Sequence, residues 1–253
     1  MHNIHIHTDL KPNLVFFELF GFQENAIRNS FEEIKKGFDL IKIDKKKEIV
    51  NSIFSDIYNY LLTGIDVPVL ITRGNSKKRK KVIIVGSEPL RNWRYFEKNE
   101  LDVYSHIALN TPFSVHQHDG FDTLYGKIIL EFLKTHDVYV TDVRKIWFAG
   151  FNYHNDFLND SIHSDFLLAE FESFNDIDHF ITFGQDSYRF IKKLLNDDPR
   201  VKYIIHPSRR TLGNQRKSFF ASHKINTDDY STHEEPYFKL VSKITAITTP
   251  TPH

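Results

Sequence analysis

The chain has 253 residues, 40% of them hydrophobic and 26% charged, and its 33 basic and 33 acidic side chains cancel to a formal net charge of zero. That is ordinary globular composition, sufficient for one domain of generous size or one core domain with an appended element. The absence of cysteine excludes disulfides, thiolate catalysis, iron–sulfur clusters and cysteine-bound zinc, and the charge balance argues against a generally basic nucleic-acid binder, leaving local basic clusters to be read by position.

No basic segment followed by an apolar one opens the sequence, and no run approaches the ~18 apolar residues of a membrane span. A cytoplasmic protein with no membrane partner, acting as a monomer, is therefore expected. The first seventy-odd residues read differently from the rest. Asn25 to Phe38 and Lys46 to Leu62 carry apolar residues at helical spacing, and Asp66 to Thr72 reads as a short strand. The polar stretch Arg73 to Lys80 marks a boundary, so residues 1–75 are expected to form a mostly helical N-terminal extension.

From Lys81 the rhythm becomes strand then helix. Strands are predicted over Val82–Val85, Val138–Thr141, His179–Phe183 and Val201–Ile205, and helices over Phe121–Thr135, Asp160–Phe174, Asp186–Leu195 and Leu212–His223. Alternating short apolar strands and amphipathic helices imply a parallel sheet covered on both faces. The expected fold is a three-layer α/β/α core over residues 76–225 with a central four-stranded parallel sheet. Residues 226–253 are expected to hold a C-terminal helix and a disordered tail.

Two polar signatures stand at strand exits. Lys81-Val82-Ile83-Ile84-Val85 runs into Gly86-Ser87-Glu88-Pro89, and Val201-Lys202-Tyr203-Ile204-Ile205 runs into His206-Pro207-Ser208. Ligands of open α/β sheets bind outside the carboxyl ends of the parallel strands, so a carboxylate and an imidazole at two such ends can converge on one small substrate. Phe113-Ser114-Val115, Tyr139-Val140-Thr141-Asp142 and Ile181-Thr182-Phe183-Gly184 lie between them. In that order the five elements, spanning roughly residues 80 to 220, resemble the motifs of the uracil-DNA glycosylase superfamily. Its members share a parallel four-stranded core and flip a nucleotide out of DNA to cut its glycosidic bond.

The resemblance implies a DNA glycosylase without a cofactor or metal, acting on DNA as its partner. Glu88 takes the acidic position, steering water and stabilising an oxocarbenium-like sugar, and His206 donates to the base O2 as negative charge builds there. Phe113 stacks on the flipped base, with Ser87, Leu90 and Asp142 completing the base-binding set. Ser208 and the cluster Arg209, Arg210, Arg216 and Lys217 hold flanking phosphates, a positioning role. Each residue also has a plain structural reading: Glu88-Pro89 as a turn, Phe113 as core, Asp142 as a loop cap, the basic run as a solvated loop.

Three departures from the family pattern bear on the substrate and the strand. Where the family places Asn, this chain has Asp142; an ionised carboxylate only accepts hydrogen bonds, and accepting from the N4 amino group of cytosine is a standard pairing. A protonated Asp would still serve uracil. Leu90 replaces the Tyr that closes the uracil pocket against substituents at pyrimidine C5, leaving that side open. After His-Pro-Ser the uracil enzymes carry Pro and an apolar wedge, whereas Arg209 and Arg210 follow here, so duplex insertion would fall to Arg210 or a neighbour and single-stranded substrate stays possible. The expected substrate is a C5-modified cytosine, as in some viral DNAs, in antiviral defence. Alternatives are a uracil-excising repair enzyme, an inactive DNA-binding module on the same fold, and a hydrolase of a free nucleotide or sugar. His2, His5 and His7, and His116 with His118, have metal-like spacing but no matching carboxylate set.

Overall fold

The computed structural model describes residues 4–7, 41–44, 61–74, 79–87, 106–116, 120–149, 160–208, 211 and 213–246. Six strands form the main sheet. They are β1 (Ile4–His7), β4 (Val69–Arg73), β5 (Lys81–Gly86), β7 (Asp137–Asp142), β9 (Ile177–Phe183) and β10 (Val201–Ile204), in the spatial order β1-β4-β7-β5-β9-β10. The four strands β7-β5-β9-β10 are mutually parallel, and β4 and β1 extend the β7 edge with antiparallel pairings. The fold is thus mixed α/β, with a six-stranded, mostly parallel sheet where a four-stranded one is expected from sequence.

The two central parallel strands form where they do because β-branched and aromatic residues run together, Val82–Val85 in β5 and Val138–Thr141 in β7. Val82 to Val85 and Val138 to Val140 are at most marginally exposed, as strands covered on both faces require. Helices α1 (Leu124–Phe132), α4 (Gly213–Ser222) and α5 (Glu235–Ala246) cover one face. Their Ile128, Phe132, Phe220, Tyr237 and Leu240 pack on Val82, Ile84, Val138 and Val140. Helices α2 (Asp160–Glu172) and α3 (Gln185–Leu194) cover the other, packing Leu167, Phe171 and Ile191 on Ile83, Val85, Tyr139 and Phe180. Each such fully buried side chain contributes about 1.5–3 kcal/mol relative to exposure. The predicted helices and strands from residue 81 onward coincide with these elements to within a few residues.

The N-terminal part differs from expectation. Its described residues are strands: β1 and β4 join the main sheet, while β2 (Ile41–Asp44) and β3 (Leu61–Asp66) join a second sheet with β6 (His106–Asn110) and β8 (Ile146–Ala149), ordered β2-β6-β3-β8. Leu61 and Leu62, read from sequence as the end of a helix, lie in β3; most of both predicted N-terminal helices falls outside the described residues, as does the tail from residue 247. The strand predicted over Asp66–Thr72 is two strands, broken at Val67-Pro68, because proline has no N–H to give a ladder. At this break backbone bonds continue the second sheet's ladders, Asp66 N donating to Lys145 O (2.9 Å) beside β8 and Val67 N to Asn110 O (2.7 Å) at the end of β6.

Behind the carboxyl end of β7 lies a buried ionic group. Lys145 and Glu170 are each 2% exposed; the Lys145 ammonium lies 3.0 Å from one Glu170 oxygen and donates to the Asp142 carbonyl at 2.9 Å. Thr141 Oγ1 donates to the other Glu170 oxygen at 2.9 Å. Burial pushes the Glu170 carboxyl upward against the opposing pull of Lys145. His163, also buried, is lowered to about 3, by burial first and then by Lys145 and Arg144.

Two outcomes are expected. Removing one partner strands the other charge, so Glu170→Ala lowers the unfolding free energy by about 3–5 kcal/mol, whereas Lys145→Met combined with Glu170→Leu recovers most of the loss; urea unfolding measures both. The unfolded chain protonates His163 near its ordinary value of 6.5 and the folded chain only near 3, so its contribution is full above that window and is lost as pH falls through it. Wild-type stability therefore drops by on the order of a few kcal/mol relative to His163→Leu between those pH values, read by denaturant titration at each pH.

Candidate functional site

The chain leaves β5 toward β7 on one side and leaves β9 toward β10 on the other, so strand order reverses between β5 and β9. In open α/β sheets the crevice outside the carboxyl ends at such a reversal is where ligands bind. Both walls of this crevice begin with glycine, Gly86 closing β5 and Gly184 following β9.

Over Gly86 stand two of the expected base-binding residues. A Cβ there would lie 2.0 Å from Asp142 Oδ1 and 2.9 Å from Phe113 Cζ. Asp142 is brought there by parallel pairing, Gly86 lying opposite it in the β5–β7 register. The Val143 and Arg144 amides donate to the Gly86 and Ser87 carbonyls at 3.0 Å each, which locks the two strand exits together. Phe113 arrives from the second sheet, through a turn after β6 whose residues Phe113 and Ser114 adopt φ of 56° and 54°. Positive φ is uncommon for a non-glycine residue and stores strain where a side chain must be aimed. The turn is braced by Ser114 N donating to Thr111 O (2.9 Å), Thr111 N to Asn110 Oδ1 (2.8 Å), and a 2.8 Å bond between Thr111 Oγ1 and His116 Nδ1.

Over Gly184 stands His206. Gly184 has φ of 94°, and a Cβ there would lie 3.3 Å from His206 Cδ2. The imidazole keeps an exposed edge, and burial of the rest lowers its pKa below the ordinary value, so the ring is neutral at neutral pH. The Tyr125 hydroxyl lies 2.9 Å from Nδ1 and 3.0 Å from Nε2 of His206. Tyr125 also stacks on Phe113, with centroids 4.7 Å apart and planes 13° from parallel, and meets Phe183 edge-on at 5.6 Å. Burial, then Tyr237 and Asp142, raise the Tyr125 phenol far above its ordinary value, so it keeps its proton.

Of the residues expected at the site, the fold brings Phe113, Asp142 and His206 into one crevice, with Ser87 at its rim. Glu88, Leu90, Arg209 and Arg210 lie outside the described residues. Ser208 belongs to the loop after His206, where Thr211 Oγ1 donates to His206 O (2.7 Å) and Arg216 Nη2 to Ser208 O (3.1 Å). Arg216 is thus a brace of this loop, while Lys217 is exposed and bonds Asp228 at 2.8 Å. Beside the loop opens a cavity of about 780 Å³, lined among others by Asp122, Tyr125, Ser208, Arg216 and His233. Of the histidines with metal-like spacing, His2 and His118 lie outside the described residues. Among the described residues no group of three or more His, Asp or Glu side chains is placed to hold a metal.

Sequence reasoning missed Tyr125 and gave no site role to Phe183, although it lies in the Ile181-Thr182-Phe183-Gly184 element. Both sit at apolar positions of correctly predicted elements, and nothing in the sequence separates them from core aromatics. The contact at Gly86 gives a test. Gly86→Ala is expected to destabilise the protein by about 1–3 kcal/mol through overpacking, and the cost should fall in an Asp142→Ala background, since most of the clash is with that side chain; a double-mutant cycle by chemical unfolding reads the coupling.

No family model matches the chain, and no curated protein is similar to it by sequence. Among solved structures, the chain is similar to a Bacillus subtilis protein described as a "putative hydrolase". The likeness spans 91% of this chain and 71% of that one, at 11% sequence identity and a TM-score of 0.28, and carries no functional argument.

Proposed function

We propose that this protein is a DNA glycosylase that hydrolyses the N-glycosidic bond of a flipped pyrimidine, with a C5-modified cytosine as substrate. The observation that carries the reading is the meeting of Phe113, Asp142 and His206 at the strand-order reversal, two of them over Gly86 and the third over Gly184. An aromatic plate, an acceptor carboxylate and a neutral imidazole are what a base demands of a pocket on its face, its amino edge and its carbonyl edge.

The chemistry assigned to these groups is simple. Water attacks C1′ of the sugar as the C1′–N bond breaks, the bonding pair leaves with the base, and the products are an abasic site and the free base. His206, held neutral, donates a hydrogen bond to O2 as negative charge gathers there. Glu88, two residues beyond Gly86, orients the water and offsets positive charge on the sugar. Asp142 accepts from N4 of cytosine, a contact that uracil O4 cannot supply. Excision of C5-modified cytosine fits a role in defence against DNA that carries such bases.

The deciding experiment is an abasic-site assay on single- and double-stranded DNA containing uracil, cytosine, 5-hydroxymethylcytosine or its glucosylated form. Release of a modified cytosine is expected, falling about 10²–10³-fold in His206→Ala, as for loss of one charge-stabilising donor, and strongly in Glu88→Gln. Release of uracil alone would overturn the substrate assignment. No release of any base, with salt-sensitive DNA binding retained, would overturn the enzyme reading in favour of a DNA-binding module.

A further inference from the structure

The position between Phe113 and His206 is already filled by the chain's own Tyr125. The phenol lies nearly parallel to the Phe113 ring at 4.7 Å, the offset-stacked arrangement that two aromatic planes prefer. Phe183 packs against it edge-on, the His206 ring stands at 80° to it, and its hydroxyl oxygen lies within 3.0 Å of both His206 nitrogens. The Asp142 charge reaches it as well. A six-membered planar ring, stacked on Phe113 with an exocyclic oxygen on His206, is the pose that a pyrimidine would take, with the phenol oxygen in place of O2.

We infer that Tyr125 is a gate: its ring holds the base position closed and must swing into the neighbouring cavity before a base can enter. This inference rests on the reading of the crevice as a base pocket. The room exists. Tyr125 is the second residue of α1 and itself lines the cavity of about 780 Å³ that opens beside the His206 loop, a volume in the range of about 300–1,000 Å³ that accommodates whole small ligands. Swinging out would exchange the Phe113 stack and the His206 bond for a wall formed by Asp122, Ser208, Arg216 and His233. A base supplies both lost contacts in turn, so the exchange is closely matched. The gate acts on specificity, because only a ring that stacks on Phe113 and bonds His206 better than the phenol does can displace it. Binding to a mostly closed pocket is weakened by the fraction of molecules that are open.

The test compares wild-type protein with Tyr125→Ala, Tyr125→Leu and Tyr125→Phe in binding free cytosine, 5-hydroxymethylcytosine and uracil, followed by the His206 ring resonances in NMR. The Ala and Leu variants are expected to bind at least one of these bases about tenfold or more tightly than wild type. The Phe variant, which still fills the position, should stay within a few-fold of wild type. Either the Ala or the Leu variant alone suffices should the other fail to fold. In the wild-type protein, saturation with base should abolish the nuclear Overhauser contact between the Tyr125 and Phe113 rings. Equal affinity in all the proteins, including none in any, overturns the gate, as does a base that binds while the ring contact persists. The two readings fail separately: tighter base binding in the Ala variant without base release from DNA leaves the gate standing and removes the glycosylase, and base release by wild type at a rate unchanged in Tyr125→Ala does the reverse.

Discussion

The close approach of two strand exits at Gly86 is the constraint on which the candidate site depends. Parallel pairing sets Asp142 opposite Gly86, and a missing side chain at that one position leaves room for the Asp142 carboxylate and the tip of Phe113 over the same α-carbon. A methyl group would expel one of them. Gly184 repeats the device on the other wall of the crevice, where its positive φ and lack of Cβ let the His206 ring lie against the backbone. Two glycines at the strand-order reversal thus convert a sheet edge into a pocket lined by an aromatic plate, a carboxylate and an imidazole.

The groups behind the pocket keep that geometry fixed. Lys145 spans from Glu170 to the Asp142 carbonyl within a region closed to water. A buried pair of this kind contributes little net stability compared with an apolar pair, but it strongly penalises any arrangement that separates its members. It therefore acts as a positional lock on the β7 exit, with Thr141 sharing Glu170 from within the strand itself. On the opposite side, the β6 turn aims Phe113 through two consecutive residues at positive φ, a strain the second sheet and the Thr111–His116 bond hold in place.

Tyr125 and His206 meet in the crevice as a neutral pair. The Tyr125 phenol stays protonated because it is buried, and His206 is shifted toward its neutral form for the same reason. A neutral hydrogen-bonded pair is cheaper to bury than a charged one, and it can exchange a phenol for a base carbonyl without moving a charge. Of the basic cluster near the loop, the two described members are engaged within the fold: Arg216 turns inward to the Ser208 carbonyl and Lys217 is bonded by Asp228.

Much of this was legible in the chain itself. The short β-branched and aromatic runs Val82–Val85, Val138–Thr141 and Phe180–Phe183 read as strands buried on both faces, and α1 and α3 showed their apolar spacing, so much of the main sheet's parallel part and those two helices followed from local pattern. His206 was found because strand ends are where such a sheet binds ligands, and Asp142 because the residues around it resemble a family motif. The second sheet was not legible: β2, β3, β6 and β8 are short, and their pairing joins residues far apart in sequence, which no local period reports. Tyr125 was hidden for a related reason. A half-buried tyrosine in an amphipathic helix looks the same in sequence whether it packs on the core or fills a pocket. Only the tertiary structure places it between Phe113 and His206, because stacking distance and hydrogen-bond geometry depend on three elements meeting in space. Sequence alone determined the parallel strands and the polar groups at their ends; tertiary packing decided which of those groups face one another, and what stands between them.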